Sequence, residues 1–338
     1  MVLNGPIVVT GAHGFAGRAL TAHYEVADRE FRGLVRAHSG ATSSRPEFVA
    51  LGDLAVVDEA RLARLLEGAG AVVHLAGRAH VMHETAADPV RAYRDANVVA
   101  TTRLARAAAA AGVARFVLAS TVKVSGEHSP ADRPFRPDDP PSPQDDYARS
   151  KHEAEAALFD VVAGSATVPI VLRLPLMYGP AVKGNFLALL RAVAHGRLLP
   201  VGALTARRSL LYVGNLVHAL DAALDAPAAP AGIHFVADDE TPMVAELAHA
   251  LGRVLNRPAR VVAVPAPLLR LAATLAGRRS AFARIASPLL VDTASFVRAT
   301  GFAPPFTLAE GLAATARWWD GSHDRSAAHD VDRLARER

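Results

Sequence analysis

Two hydrophobic periods alternate along the first half of the chain. Short β-branched apolar runs are separated by longer Ala/Leu/Arg runs of helical spacing, the pattern of a parallel sheet with crossover helices. Six runs predict strands: Ile7–Thr10, Phe31–Val35, Glu47–Ala50, Ala71–Leu75, Arg115–Ala119 and Ile170–Leu174. Helices over Arg91–Ala111 and Tyr147–Val162 lead into the last two. The fold class expected is therefore α/β, a Rossmann-type doubly wound parallel sheet over residues 1–175. Beyond Pro175 the pattern breaks, and Gly179-Pro180, Leu199-Pro200 and Pro227–Pro230 punctuate shorter segments. Residues 176–320 are read mainly as a smaller C-terminal lobe closing over the sheet's carboxyl edge, with some segments able to return to the sheet. Residues 321–338 read as a polar, charge-rich tail that frays. No repeat at a fixed period stands out, which sets solenoids and propellers aside.

Composition narrows the picture in three ways. With 338 residues, 51% hydrophobic and 21% charged, the chain can bury one large core or two modest ones. The net charge of +4 is carried by Lys and Arg read as scattered among acids, so no nucleic-acid partner is expected. No cysteine is present, which excludes disulfides, thiolate chemistry and Cys-ligated metals. The N-terminus runs within a few residues into a strand and a glycine turn, leaving no visible export signal, and a cytoplasmic location is expected. The apolar stretch Val261–Ala276 contains Pro265, Pro267 and Arg270 and falls short of the roughly 20 residues of a membrane span. A contact with a membrane surface is left open there.

The first chemical signal follows the first strand. Thr10-Gly11-Ala12-His13-Gly14-Phe15-Ala16-Gly17 spaces three glycines by three, between an apolar run and an amphipathic segment starting at Arg18. Gly11 permits a tight turn, Gly14 lets backbone approach a pyrophosphate, and Gly17 lets helix pack on strand, while the helix N-terminus offers unpaired N–H groups. A bare glycine triplet is a weak signal, but its place at the start of a βαβ unit favours a dinucleotide site. The acid that usually follows the second strand is missing. Leu34-Val35-Arg36 stands there, and Arg36 either pairs with a 2′-phosphate, favouring NADP, or is a solvated strand-end arginine. Asp53, in Leu51-Gly52-Asp53-Leu54, either touches the adenine side or only forms a turn.

The second signal is Tyr147-Ala148-Arg149-Ser150-Lys151 at the start of an Ala- and Glu-rich helix. A spacing of four puts both side chains on one helix face. Tyrosine is a poor base at its ordinary pKa near 10, and a neighbouring ammonium is expected to lower that value so that Tyr147 can exchange a proton with a substrate hydroxyl. Such a pair occurs on many surface helices; downstream of a glycine turn, between strands five and six, it gains weight. Strand five ends in Ser120 and Thr121, two hydroxyls at the sheet edge where ligands bind in doubly wound folds. Asn97 enters an otherwise apolar helix and is read either as holding backbone or water near the lysine or as facing solvent.

Taken together these motifs resemble the extended short-chain dehydrogenases/reductases, specifically the NAD-dependent epimerase/dehydratase group with UDP-glucose 4-epimerase-like nucleotide-sugar enzymes. The resemblance spans roughly Ile7 to Trp319. It implies a cofactor site of Gly11, Gly14, Phe15, Ala16 and Gly17 with Arg36, Asp53, Leu54, Leu75, Ala76, Gly77, Asn97, Ser120, Tyr147, Lys151 and Tyr178, and a catalytic set of Thr121, Tyr147 and Lys151. It further implies that Asn185, Phe186 and Arg208, with Thr121, bind a UDP-sugar, so that residues 176–320 become a nucleotide-sugar-binding lobe. NAD is the implied cofactor, NADP being left open by Arg36. A second arginine and aspartate of the group near residues 282–285 are unmatched, Arg284 lying out of register. A homodimer is possible, as in similar enzymes.

The leading functional expectation is a UDP-glucose/UDP-N-acetylglucosamine 4-epimerase with Tyr147 as acid/base. The alternative is an NADPH-dependent 4-reductase of a UDP-4-keto-6-deoxy-sugar, and a catalytically silent dinucleotide sensor comes third, since both Tyr147 and Lys151 are present. Dehydration is disfavoured because Val122-Lys123 stands where the group's dehydratases carry Asp-Glu. No metal is expected: His74, His80 and His83 lack the spacing of helix-borne zinc ligands, and His80 and His83 are read as lining a substrate pocket.

Overall fold

The computed structural model describes residues 4–37, 47–79, 86–130, 132–277 and 279–321. Two compact units divide the chain, the first made of residues 1–175, 215–237 and 291–304, the second of residues 176–214, 238–290 and 305 onward. His80 and His83, and nearly all of the expected C-terminal tail, lie outside the described residues.

In the first unit, β1 (Ile7–Thr10), β2 (Phe31–Val35), β3 (Phe48–Ala50), β4 (Ala71–His74), β5 (Arg115–Thr121) and β6 (Val168–Leu174) form the parallel sheet that the apolar runs predict. The helices between them are α1 (Phe15–Val26), α2 (Glu59–Leu66), α3 (Pro89–Tyr93), α4 (Ala100–Ala110) and α5 (Asp146–Val162). β1, β4 and most of β5 and β6 are buried, so they read as continuous apolar runs rather than alternating ones. The expected helix over 91–111 is interrupted: Arg94–Val99 forms a π-helical turn between α3 and α4, and Asn97 sits in it. Such turns add a residue to the helix and often mark functional positions.

The second unit contains β7 (Leu176–Tyr178), α6 (Gly184–Ala194), β8 (Leu198–Leu199) and β9 (Leu210–Tyr212). The chain then re-enters the first unit through α7 (Val213–Asp225) and β10 (Gly232–Phe235). β10 pairs in parallel with β6 and completes a seven-stranded sheet of order β10-β6-β5-β4-β1-β2-β3. Buried Arg115 at the start of β5 fastens α7 there, donating to the carbonyls of Ala223 at 3.0 Å and Ala226 at 2.6 Å. After α8 (Val244–Val254), β11 (Arg260–Val261), α9 (Ala266–Leu275) and α10 (Arg279–Ala286) of the second unit, α11 (Ala294–Thr300) returns to the first. The order of the sheet reverses at β1, between β4 and β2, and a crevice outside the carboxyl ends at that point is where doubly wound sheets take a ligand.

Candidate active site

The glycine turn leaves β1 in a conformation that only glycine fills. Gly11 has φ +67°, and a Cβ on it would lie 2.7 Å from the Ala76 backbone nitrogen after β4. A Cβ on Gly17 would stand 2.1 Å from the Gly11 carbonyl oxygen. Gly14 caps α1 with extended backbone and donates its N–H to Gly11 O at 2.7 Å, and no acid stands in the first turn of the helix. Phe15 and Ala16 open α1, half-buried. A helix N-terminus this closely approachable, free of negative charge, fits the pyrophosphate of a dinucleotide.

Next to the turn lies a buried relay. Thr10 Oγ1 accepts the Ala76 N–H at 3.1 Å and lies 2.6 Å from His74 Nδ1. On the other side His74 Nε2 lies 3.1 Å from Thr101 Oγ1, which itself donates to Asn97 O at 2.6 Å. With the Thr101 proton committed to Asn97 O, His74 donates at Nε2, and the neutral ring then accepts the Thr10 hydroxyl proton at Nδ1. Burial, aided by the positive charge of Lys151, pushes His74 down to about 3. The relay holds the β1 and β4 ends together, with Leu75, Ala76 and Gly77 on the loop that follows.

Asn97 joins that loop to the tyrosine helix. Its Oδ1 accepts the Arg78 N–H at 2.8 Å, and its Nδ2 donates to Arg78 O at 3.1 Å and to Ser150 Oγ at 2.8 Å. Ser150 in turn donates to Tyr147 O at 2.8 Å. Asn97 is buried, so of its two expected roles the structure has it holding backbone. A Cβ on Gly77 would sit 2.8 Å from Asn97 Oδ1, which makes Gly77 a condition of the clamp.

Asp145 caps α5 by accepting the Ala148 N–H at 2.7 Å, which places Tyr147 in the first turn and Lys151 one turn on. Lys123, just past β5, bonds Asp145 at 2.7 Å and Glu127 at 2.9 Å, tying the end of the strand that carries Thr121 to the start of the helix that carries Tyr147. Burial lowers the Lys123 pKa, but its hydrogen bonds to Asp145 and Glu127 outweigh this and hold it above the ordinary value. The Thr121 hydroxyl lies close enough to the Tyr147 side chain to favour its phenolate. Thr121, Tyr147 and Lys151 are thus brought together in one unit.

Their electrostatics depart from the sequence expectation in one respect. Burial pushes Tyr147 up to about 12, the nearby Thr121 hydroxyl opposing and the charge of Asp145 adding. The acidified tyrosine expected beside an ammonium is not the resting state. Burial also draws Lys151 down to about 8, against the pull of Glu155 one turn further along α5. Glu155 pairs with Arg173 of β6 at 2.7 Å, their side chains only 2% and 1% exposed. Ser120, the register partner of Arg173, donates to Glu155 Oε1, and Arg173 Nη1 donates to Ser125 Oγ at 3.1 Å. The Ser120 hydroxyl is thus engaged in this cluster. Sequence reasoning missed Glu155, Arg173, Ser150, Thr10 and Thr101; the signal that could have found Glu155 is its i+4 spacing from Lys151.

Arg36 is exposed just past β2, and its carbonyl accepts the Gly52 N–H at 3.1 Å. The Asp53 carboxylate accepts the Ala55 N–H at 2.9 Å, a turn-forming role, while Leu54 packs at the margin of the core. In the second unit Tyr178 is buried and stacks on Phe186, ring centroids 5.1 Å apart, so both aromatic rings are core residues there. Asn185 is exposed in the first turn of α6. Arg208 donates to the carbonyls of Arg284 and of Ser287, the latter at 3.0 Å, near the C-terminal end of α10.

Comparison with known proteins gives a consistent result. Residues 7–237 match the NAD dependent epimerase/dehydratase family. The chain is 34% identical over 313 residues to a UDP-glucose 4-epimerase of Vibrio cholerae, covering 92% of this chain and 94% of that protein. It is 28% identical over 331 residues to an N-acetyl-alpha-D-glucosaminyl-diphospho-ditrans,octacis-undecaprenol 4-epimerase of Escherichia coli O157:H7, covering 94% and 96%. Among solved structures, MoeE5 in complex with UDP-glucuronic acid and NAD superposes with a TM-score of 0.74 at 25% identity, covering 94% of this chain and 100% of that one.

Proposed function

The chain belongs to the NAD dependent epimerase/dehydratase family, a nucleotide-sugar-modifying, NAD-dependent enzyme, and on that premise we propose that it inverts C4 of a UDP-hexose, glucose or its N-acetylated relative. The observation that carries this reading is the nearness of the Thr121 hydroxyl, at the end of β5, to Tyr147 of α5, with Lys151 one turn further along that helix. The near full-length likeness to a C4 epimerase supports it.

The glycine turn, the N-terminus of α1 and the segment Leu75–Gly77 would hold NAD. When bound, the nicotinamide supplies an acceptor and donor of hydride, and in its oxidised state a positive charge. The protein's own part is the proton. Tyr147 takes it from the sugar O4, and Thr121 holds that oxygen within reach. Because burial leaves the resting phenol near 12, a cation close by is needed to bring Tyr147 into range at neutral pH. Lys151, near 8, is predominantly charged at pH 7 and can supply part of that pull. When the proton returns from Tyr147 to O4 the configuration at C4 can differ, provided the sugar ring has turned. Asn185 and Arg208 would anchor the diphosphate, the remote binding energy that orients the reacting carbon. In this reading Arg208 gives up a backbone carbonyl to do so. Lys123, standing with Val122 where the group's dehydratases carry Asp-Glu, supports a reaction confined to C4.

A second reading, reduction of a UDP-4-keto-6-deoxy-sugar by NADPH, is favoured by the exposed Arg36 at the end of β2. One experiment separates the two: incubate the purified protein with NAD, NADPH and a panel of UDP-sugars, identify products by NMR, and identify any cofactor that copurifies. An epimerase keeps its cofactor between the two half-reactions, so tightly retained NAD and interconverted C4 epimers are expected. Unchanged C4 configuration in every UDP-hexose tested would exclude the epimerase.

A further inference from the structure

Charge is not spread evenly along this chain, contrary to the scatter that composition suggests. Between Glu246 and Asp292 there are seven arginines, from Arg253 to Arg284, and no Asp, Glu or Lys, in a protein whose whole net charge is only +4. The rest of the chain is therefore net acidic. In the middle of this basic segment lies α9, with four leucines, three alanines and a single charged residue, Arg270. An apolar helix of a globular domain ordinarily buries its apolar stripe. This one buries no residue. Leu268, Leu271 and Leu275, spaced i, i+3 and i+7 and hence on one face, are 57%, 57% and 81% exposed, and Ile285 of α10 is also exposed. Arg270 and Arg279 are exposed beside them, and among the described residues no carboxylate pairs with either.

We propose that α9, with Arg279 of α10, forms a contact surface for the headgroup region of a bilayer containing anionic phospholipid, the leucines entering the interface and the arginines pairing with lipid phosphates. At ten residues α9 is too short to span a bilayer, and among the described residues no helix is long and apolar enough to do so. A helix of this kind lies in the plane of the interface, held by its apolar face and by basic residues at its flank. A second copy of the chain fits the surface less well. A symmetric dimer would lay the same patch on itself, and a segment with arginines and no acids would then meet its own charge.

The proposal does not depend on the reaction proposed above. Its test is vesicle flotation of the full-length protein with phosphatidylcholine alone and with about 30% phosphatidylglycerol, at low and high salt. Two variants accompany it: Leu268→Ser/Leu271→Ser/Leu275→Ser, and Arg270→Ser/Arg279→Ser. Circular dichroism checks their fold, and conversion of a soluble UDP-sugar, measured in parallel, is expected to match wild type, so the two readings fail separately. Wild type should float with the anionic vesicles at least about tenfold more than with neutral ones, lose this in high salt, and lose it in both variants. No flotation with anionic vesicles overturns the proposal, as does a folded variant of either kind that floats like wild type. A concentration-dependent dimer abolished by the leucine substitutions, without vesicle binding, would assign the face to a second copy and overturn it as well.

Discussion

Replacing Glu155 by glutamine tests the buried cluster behind Lys151. The Glu155 carboxylate receives Arg173 Nη2 at 2.7 Å and Nε at 3.1 and 3.3 Å, and the Ser120 hydroxyl besides. Glutamine keeps one acceptor oxygen but turns an amide N–H₂ toward a guanidinium that is only 1% exposed. The cost is that of leaving a cation buried without its counter-charge, about 3–5 kcal/mol. Against a typical total of about 5–15 kcal/mol that is a large fraction, read directly as a shift in the urea midpoint. The companion Arg173→Met should be costly for the opposite reason, whereas the double variant, which removes both charges, should recover much of the loss. A structural role alone would stop there. Glu155 also holds the Lys151 pKa up against burial, so Glu155→Gln should draw Lys151 below about 8 and shift the corresponding limb of the pH–rate profile to lower pH. A loss under about 1 kcal/mol in the single variant, or strict additivity in the double, would refute the argument.

Three further outcomes are expected. Tyr147→Phe should lower turnover by about 10²–10⁴-fold with the fold unchanged by circular dichroism, and equal activity would remove Tyr147 from its acid/base role. His74 is held neutral in the fold, near 3, but titrates near 6.5 when unfolded; stability is therefore complete above that value and falls by about 1.4 kcal/mol per pH unit as pH drops toward 3. Urea titrations of wild type and His74→Asn across this range should show that part of the slope only in wild type; the same slope in both would refute the account. Gly17→Ala puts a methyl 2.1 Å from the Gly11 carbonyl, so dinucleotide affinity measured by calorimetry should fall at least about tenfold and stability by about 1–3 kcal/mol, whereas unchanged binding would refute the role given to the turn.

Much of the fold was legible because its signals are local. An apolar run of four to seven residues becomes a buried strand wherever both faces are covered, and glycines spaced by three after such a run become a turn whose alternatives are sterically closed. The strand ends were less legible: β5 runs on to Thr121 and β6 starts at Val168, because burial and pairing, rather than the residues at the edge, decide where a ladder stops. The seventh strand, Gly232–Phe235, was not singled out, since a four-residue run after a proline-rich segment carries little periodicity until β6 is there to pair with it. The π turn at Arg94–Val99 leaves no mark in a helical pattern either.

By itself the sequence determined the order of the first six strands, the glycine turn and the four-residue spacing of Tyr147 and Lys151, all consequences of backbone geometry within a few residues. Tertiary structure decided what surrounds that pair. His74 meets Thr10 across 64 residues, Asn97 meets Ser150 across 53, and Arg173 meets Glu155 because β6 lies beside β5 under α5. These partners set the charge states of the site: burial raises Tyr147, lowers Lys151 and keeps His74 neutral. The sequence could place an ammonium beside a phenol. Desolvation, the larger effect here, depends on everything packed around them, and that exists only in the folded chain.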